Sequence, residues 1–275
     1  MRTWFVTGAS RGFGLEIARQ ALELGDNVVA TARRPEPIAE ALASDRLLAL
    51  PLDVSDERAA QRAVDAAVDR FGGIDVLVNN AGRGLLGAVE EAADAEVRAV
   101  YETNVFGLLA VTRAVLPVLR RQRSGRVINI SSVGGFTGGA GWGIYNSTKF
   151  AVEGLSEALR AELAPLGIDV TIVEPGVFRT DFLDGSSLHS TDAIEDYAGT
   201  AGNTRGWAAD NNHAQQGDPA KGAAAIITVA TADKPPLRLQ LGADCVARVE
   251  AKLALVADEL AQWRELALST AHEEQ

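Results

Sequence analysis

Short apolar runs alternate with helical stripes along this chain as far as about position 176. Residues 3–7 form a continuous apolar run, the pattern of a strand covered on both faces. Ile17, Ala18, Ala21 and Leu22 then recur at helical spacing and stop at Leu24-Gly25, a pair suited to close a helix. Further strands are predicted over 27–30, 46–52, 74–78, 126–131 and 169–174. Pro51 cannot donate to a sheet ladder, so the third of these belongs at a sheet edge or its end. Ser55, Asp56 and Glu57 supply a cap and an acidic first turn for a helix reaching Phe71-Gly72. Residues 94–122 read as helix although Asn104 and Gly107 are poor interior residues, and Pro117 should bend its last turns. A helix headed by Tyr145 buries Ala151, Leu155, Ala158 and Leu159.

The rhythm breaks at 178–217, a polar, glycine-bearing stretch with scattered aromatics that is expected to be a substrate-covering lid. A helix from Asp218-Pro219 to 229, an alternating strand over 237–241 and a helix over 246–268 close the chain. The predicted class is α/β: a doubly wound, mostly parallel Rossmann-type sheet of about seven strands with helices on both faces. Residues 1–275 then form a single domain.

Composition narrows the partners. With 26 basic and 37 acidic residues the chain carries a formal charge of −11, which leaves no excess positive charge for nucleic acid or an anionic membrane. Cys245 has no partner for a disulfide, and three histidines offer no zinc cluster. His189 and His213 read as solvated. No charged leader or apolar run of membrane length is evident, so the expected location is cytoplasmic.

Chemistry is suggested at four places. Gly8-Ala9-Ser10-Arg11-Gly12-Phe13-Gly14 lies between a buried strand and a helix, where glycines admit a phosphate to the backbone and free amides point at it. After the second strand, Ala32 and Arg33 stand where dinucleotide folds carry an acid for the ribose 2′-hydroxyl. Arg33, helped by Arg11, would clamp a 2′-phosphate and select NADP over NAD. The alternative is that Arg33 and Arg34 form a solvated turn. Asn79-Asn80-Ala81-Gly82 suits a tight loop beside a ligand at a strand's carboxyl end. Tyr145 and Lys149 stand one helical turn apart, so the ammonium should lower the phenol's pKa toward acid and base duty, with Ser132 thirteen residues upstream.

In this order and spacing, together with Asn104 and Pro175-Gly176-x-x-x-Thr180, these features resemble the short-chain dehydrogenase/reductase family. Local wording such as Val28-Val29-Ala30-Thr31-Ala32-Arg33 is similar to its 17β-hydroxysteroid dehydrogenase branch. The resemblance implies that Tyr145 is the general acid/base, that Lys149 tunes it and holds the nicotinamide ribose, and that Ser132 hydrogen-bonds the substrate oxygen. It implies that Asn104 distorts the long helix and holds a water linking Lys149 to solvent. Asp53 and Val54 would meet the adenine, Asn79, Ala81 and Gly82 the adenine ribose side, and Val177 and Thr180 the carboxamide. Leu85, Leu86, Trp142, Phe178 and Phe182 would bound the substrate opening or pack the lid. The expected reaction is hydride transfer between NADP(H) and a ketone or secondary alcohol. A regulatory NADP-binding protein without turnover, or an epimerase or dehydratase, remains the alternative. A homodimer or homotetramer through the helices ending at Gln122 and following Tyr145 is also implied.

Overall fold

The computed structural model describes residues 1–272. Seven strands form one parallel sheet: β1 (Thr3–Thr7), β2 (Asn27–Ala32), β3 (Leu47–Pro51), β4 (Val76–Asn79), β6 (Gly125–Ile130), β7 (Ile168–Pro175) and β9 (Arg238–Leu241). Their order is β3-β2-β1-β4-β6-β7-β9, and every pairing is parallel. β3 is an edge strand and ends on Pro51, as the missing amide requires. The order reverses between β1 and β4, where open α/β sheets leave a crevice at the strands' carboxyl ends.

Alternate residues of the buried strands feed two cores. Trp4, Val6, Val28 and Ala30 pack with Ile17 and Ala21 of α1 (Gly12–Glu23), Ile38 of α2 (Glu36–Ala41) and Ile226 of α8 (Pro219–Thr231). Phe5, Val29 and Leu77 face the other way, against Val64 and Ala67 of α3 (Glu57–Phe71) and Val111 and Val115 of α5 (Leu108–Gln122). Asp56 alone caps α3, accepting from the amides of Arg58 and Ala59, while the Ser55 hydroxyl turns back to Asp53.

The long helix is not uniform. α4 (Asp94–Tyr101) passes into a π-helical stretch, Glu102–Gly107, before α5, so the distortion falls around Asn104. Its 29 residues are long and apolar enough to cross a membrane, contrary to expectation, but 61% of the apolar window is buried inside the fold. α6 (Gly143–Leu163) follows, carrying Tyr145 in its first turn. Residues 178–217 are more ordered than their composition suggests. β8 (Leu188–Ser190) pairs in parallel with β5 (Gly84–Leu86) in a second, two-stranded sheet. α7 (Asn203–Asp210) follows, and α9 (Ala243–Leu268) is the last helix of the described residues.

Candidate active site

Above the β1–β4 reversal lies a cavity of about 660 Å³, within the size range of small-molecule and cofactor sites. One end is the turn after β1. Gly8 and Gly12 take φ values of +64° and +55°, conformations costly for a side chain, and a Cβ on Gly8 would sit 2.9 Å from the Ala81 Cα. Arg11 puts no side chain on the first amides of α1, which are left for a ligand. The wall continues through Ser10, Phe13, Arg33, Asp53, Val54, Ala81 and Gly82, and then through Pro175, Gly176, Val177 and Thr180. At the other end stand Ser132, Tyr145 and Lys149. Bare backbone, open helix amides and an elongated cleft fit a dinucleotide.

Tyr145 and Lys149 face the same space, with the ammonium 5.8 Å from the phenol ring centroid. Burial pushes the phenol up to about 12, and the neighbouring Ser132 hydroxyl pulls the other way. The expected lowering by Lys149 is therefore not what governs this residue here: removing a phenolate from water outweighs the opposing Ser132 hydrogen bond. Lys149 is itself pulled down to about 8 by burial, against the charge of Glu153, and its Nζ donates to the Ile130 carbonyl at 2.9 Å. Ser132 caps the turn that follows, its Oγ accepting from the Gly134 amide at 3.0 Å.

Seventeen of the twenty candidate residues line this cavity; Gly14, Asn79 and Asn104 do not. A Cβ on Gly14 would lie 2.5 Å from both Asn80 Nδ2 and the Gly8 carbonyl, so this glycine seats α1 against the turn. Asn79 points into the sheet face, donating to Thr112 and Asn129 at 2.9 Å. Its neighbour Asn80 does line the cavity and ties the two loops together through the Thr7 and Gly8 carbonyls. Strand alternation separates the pair. Asn104 is buried, accepting from the Arg83 amide and donating to the Arg83 carbonyl and Thr148, so its side chain joins the loop after β4 to α6.

Other expectations need correction. Arg11 donates to the Ser186 and Ser187 hydroxyls at 2.7 and 2.6 Å and is turned toward the segment after β7. Arg33 is exposed and has no ion-pair partner among the described residues. Leu85 and Leu86 are core residues of the small sheet and do not line the cavity, whereas Trp142, Phe178, Phe182, Leu183 and Trp207 do. His189 and His213 are exposed, as expected of solvated side chains, but each also has an acidic partner: His189 meets Glu96 at 2.6 Å and His213 meets Asp184 at 3.0 Å. Asp181, Asp184 and His213 also bring three ligand-type atoms within 4.8 Å of one another, although Asn212 and His213 already engage Asp184.

Two features escaped the sequence reading. Glu91 receives the amides of Ala88 and Ile194, at 2.6 and 2.8 Å, and pairs with Arg205. These donors, led by the Ile194 amide, hold its carboxyl down to about 2. Behind Lys149, Glu153 and Glu174 share Arg238 at 3.1 and 3.2 Å. Burial lifts the Glu153 carboxyl to about 7 and raises Glu174 as well. The signals were faint: Glu91 is one of several acids in a polar stretch, and Glu153 and Glu174 are lone acids in a helical and a strand register that otherwise read as apolar.

Residues 2–190 match the family model described as short chain dehydrogenase. The chain belongs to the short-chain dehydrogenase family. It is 40% identical to Oxidoreductase BOA17 of Botryotinia fuckeliana, with 98% of this chain and 99% of that protein covered. A 3-ketodihydrosphingosine reductase of Bacteroides thetaiotaomicron is 39% identical, with 86% of each covered. The crystal structure of a short-chain dehydrogenase from Streptomyces avermitilis superposes with a TM-score of 0.93 at 44% identity, covering 98% of this chain and 99% of that one. A serine dehydrogenase complexed with NADP+ gives 0.75 at 30% identity, covering 87% and 94%. A 3-ketoacyl-(acyl-carrier-protein) reductase from Brucella melitensis complexed with NADH gives 0.73 at 25%, covering 87% and 96%. As a short-chain dehydrogenase, the chain is an oxidoreductase whose structural relatives hold nicotinamide cofactors.

Proposed function

We propose that this short-chain dehydrogenase is an NADP-dependent carbonyl reductase or alcohol dehydrogenase acting on a ketone or secondary alcohol. The observation that carries the reading is the meeting of Tyr145, Ser132 and Lys149 at the far end of a cleft that begins at an uncapped helix start. A nicotinamide cofactor supplies or accepts the hydride when bound. Tyr145, protonated in its buried position, gives its phenolic proton to the oxygen of a carbonyl under reduction. Ser132 donates a hydrogen bond to the same oxygen, stabilising the charge that develops there. Lys149, fixed by the Ile130 carbonyl, is set to hold ribose hydroxyls and to keep positive charge beside the phenol. Asn104 acts on these groups indirectly, by fixing the loop around Arg83 against α6.

Arg33 supports NADP over NAD: it borders the cavity with a guanidinium that no carboxylate engages among the described residues, next to Ala32. Arg11 could contribute only by leaving Ser186 and Ser187. Trp142, Phe182, Leu183 and Trp207 give the catalytic end a largely apolar wall, suited to a carbonyl compound of some bulk. The name of the Bacteroides relative, a ketone reductase, agrees with this. Residues 178–217 serve as the cover over that end. The outer face of the π-helical stretch and α6 exposes Phe106 and Phe150, which favours the expected helical face for assembly into a homo-oligomer.

Turnover of NADPH with a panel of ketones tests the reading. Tyr145→Phe should lower kcat about 10³-fold and leave NADPH affinity within about twofold. Equal rates in the two proteins would remove Tyr145 from the chemistry and favour a binding protein without turnover.

A further inference from the structure

α9 leaves the body of the fold after its first turns. Cys245 and Val249 are buried against Val133 and Phe136, and Arg248 donates to Thr137 at 2.7 Å, but every residue from Leu253 to Leu268 is exposed. At a rise of 1.5 Å per residue this free stretch is about 24 Å of helix. Its stability cannot come from packing on its own chain among the described residues. Leu253, Val256, Leu260 and Trp263 are 55%, 45%, 63% and 63% exposed and succeed one another at spacings of three, four and three. That is the spacing of a coiled-coil seam, and it continues the face that holds Val249 to the body.

Charge argues against a lipid surface as the occupant. α9 has five acids (Asp244, Glu250, Asp258, Glu259, Glu265) and three bases (Arg248, Lys252, Arg264), within a chain of charge −11. We propose that the seam is covered by the same helix of a second copy of this chain, running antiparallel. A parallel pair, with helix axes 8–10 Å apart, would drive the two bodies at the helix starts into each other. An antiparallel pair sets them at opposite ends. In the register that covers all four seam residues, Leu253 meets the partner's Trp263 and Val256 meets the partner's Leu260, each contact occurring twice about a two-fold axis. Glu250 then flanks the partner's Arg264, and the Lys252 stem covers the partner's Leu266. Ala257 meets its own counterpart on the axis and permits close approach. Glu259 does the same with an unfavourable like charge.

Arg248 of α9 lines the cavity but none of the four seam residues does, so the variants can be checked for unchanged turnover. Sedimentation at matched concentration should give Leu260→Asp half the mass of the wild-type chain, whatever assembly occurs through other faces. Glu250→Arg and Arg264→Glu should each weaken association about tenfold, their combination should restore it, and Glu259→Gln should tighten it. Ala257→Cys should cross-link two chains under mild oxidation, and Ala251→Cys, on the outer face, should not. Unchanged mass in Leu260→Asp, no rescue by the double charge reversal, or equal cross-linking at 251 and 257 would overturn the proposal. So would binding of the wild-type chain to phosphatidylglycerol vesicles that Leu260→Asp abolishes without any change in mass.

Discussion

The glycine turn after β1 and the segment 178–217 wall the same cavity, yet they are held by different physics. The turn is fixed by backbone sterics and by strands buried on both faces, with Gly8, Gly14 and Asn80 in mutual contact. The covering segment has few buried apolar residues, Leu188, Ala201 and Ala208 among them. Long-range polar clasps hold it instead: Glu91 with Arg205, Arg11 with Ser186 and Ser187, His189 with Glu96. Low apolar burial lowers the cost of local opening, so on the proposed reading the second wall is the one that moves to admit a ligand.

Substitutions can break this contrast, and the largest effect expected beyond Tyr145→Phe is beside the rigid wall, at the end of β2. Arg33→Asp should shift the ratio of NADP to NAD affinity about 100-fold toward NAD, read by titration of both cofactors. An unchanged ratio would mean that the 2′-phosphate is held elsewhere. Gly14→Ala should cost about 1–3 kcal/mol in urea denaturation, because the new methyl meets the Gly8 carbonyl, which cannot rotate away. Cofactor affinity should fall with it.

The yielding wall should respond in the opposite sense. Glu91→Gln should raise KM about tenfold and speed proteolysis between 190 and 212, with little change in the global unfolding midpoint. Because its carboxyl is held down to about 2, the clasp is intact above the ordinary carboxylate pKa and is lost as pH falls toward 2. Proteolysis at pH 7 and pH 3 would sharpen the point. An effect confined to the pH dependence belongs to Glu153 under the catalytic end. Its folded pKa is raised to about 7, so its proton is bound more tightly in the folded chain. That stabilisation is present below its unfolded pKa and lost as pH rises through 7. Wild-type stability should therefore drop between pH 5 and 8, and Glu153→Gln should flatten the drop by about 1–3 kcal/mol. Equal pH dependence in both proteins would assign the drop to Glu174 or another group.

Much of the molecule was legible before folding was considered. The strands of the main sheet and most of its helices followed from periodicity and the edge position of β3 from Pro51, whereas the distortion at Asn104 was implied only by the family resemblance. The errors shared one form. Asn79 and Asn80 are adjacent and chemically identical, and only the pleat of β4 decides which one enters the cavity. Arg11 sits in the turn as expected, but the direction of its guanidinium was set by serines 175 and 176 residues away. Leu85 and Leu86 went to a small sheet whose second strand, β8, has no periodic signature of its own.

By itself, then, the amino-acid sequence determined the strands of the main sheet and most of its helices, their parallel winding, and the chain order of the glycine turn, Ser132, Tyr145 and Lys149. These depend on local spacing and on glycine and proline sterics, which act within a few residues. Only the tertiary structure decided how residues 178–217 are clasped, which way Arg11 and Asn79 point, and that burial governs the Tyr145 phenol. Those outcomes rest on partners and desolvation supplied by segments distant in the chain, for which no local pattern is required.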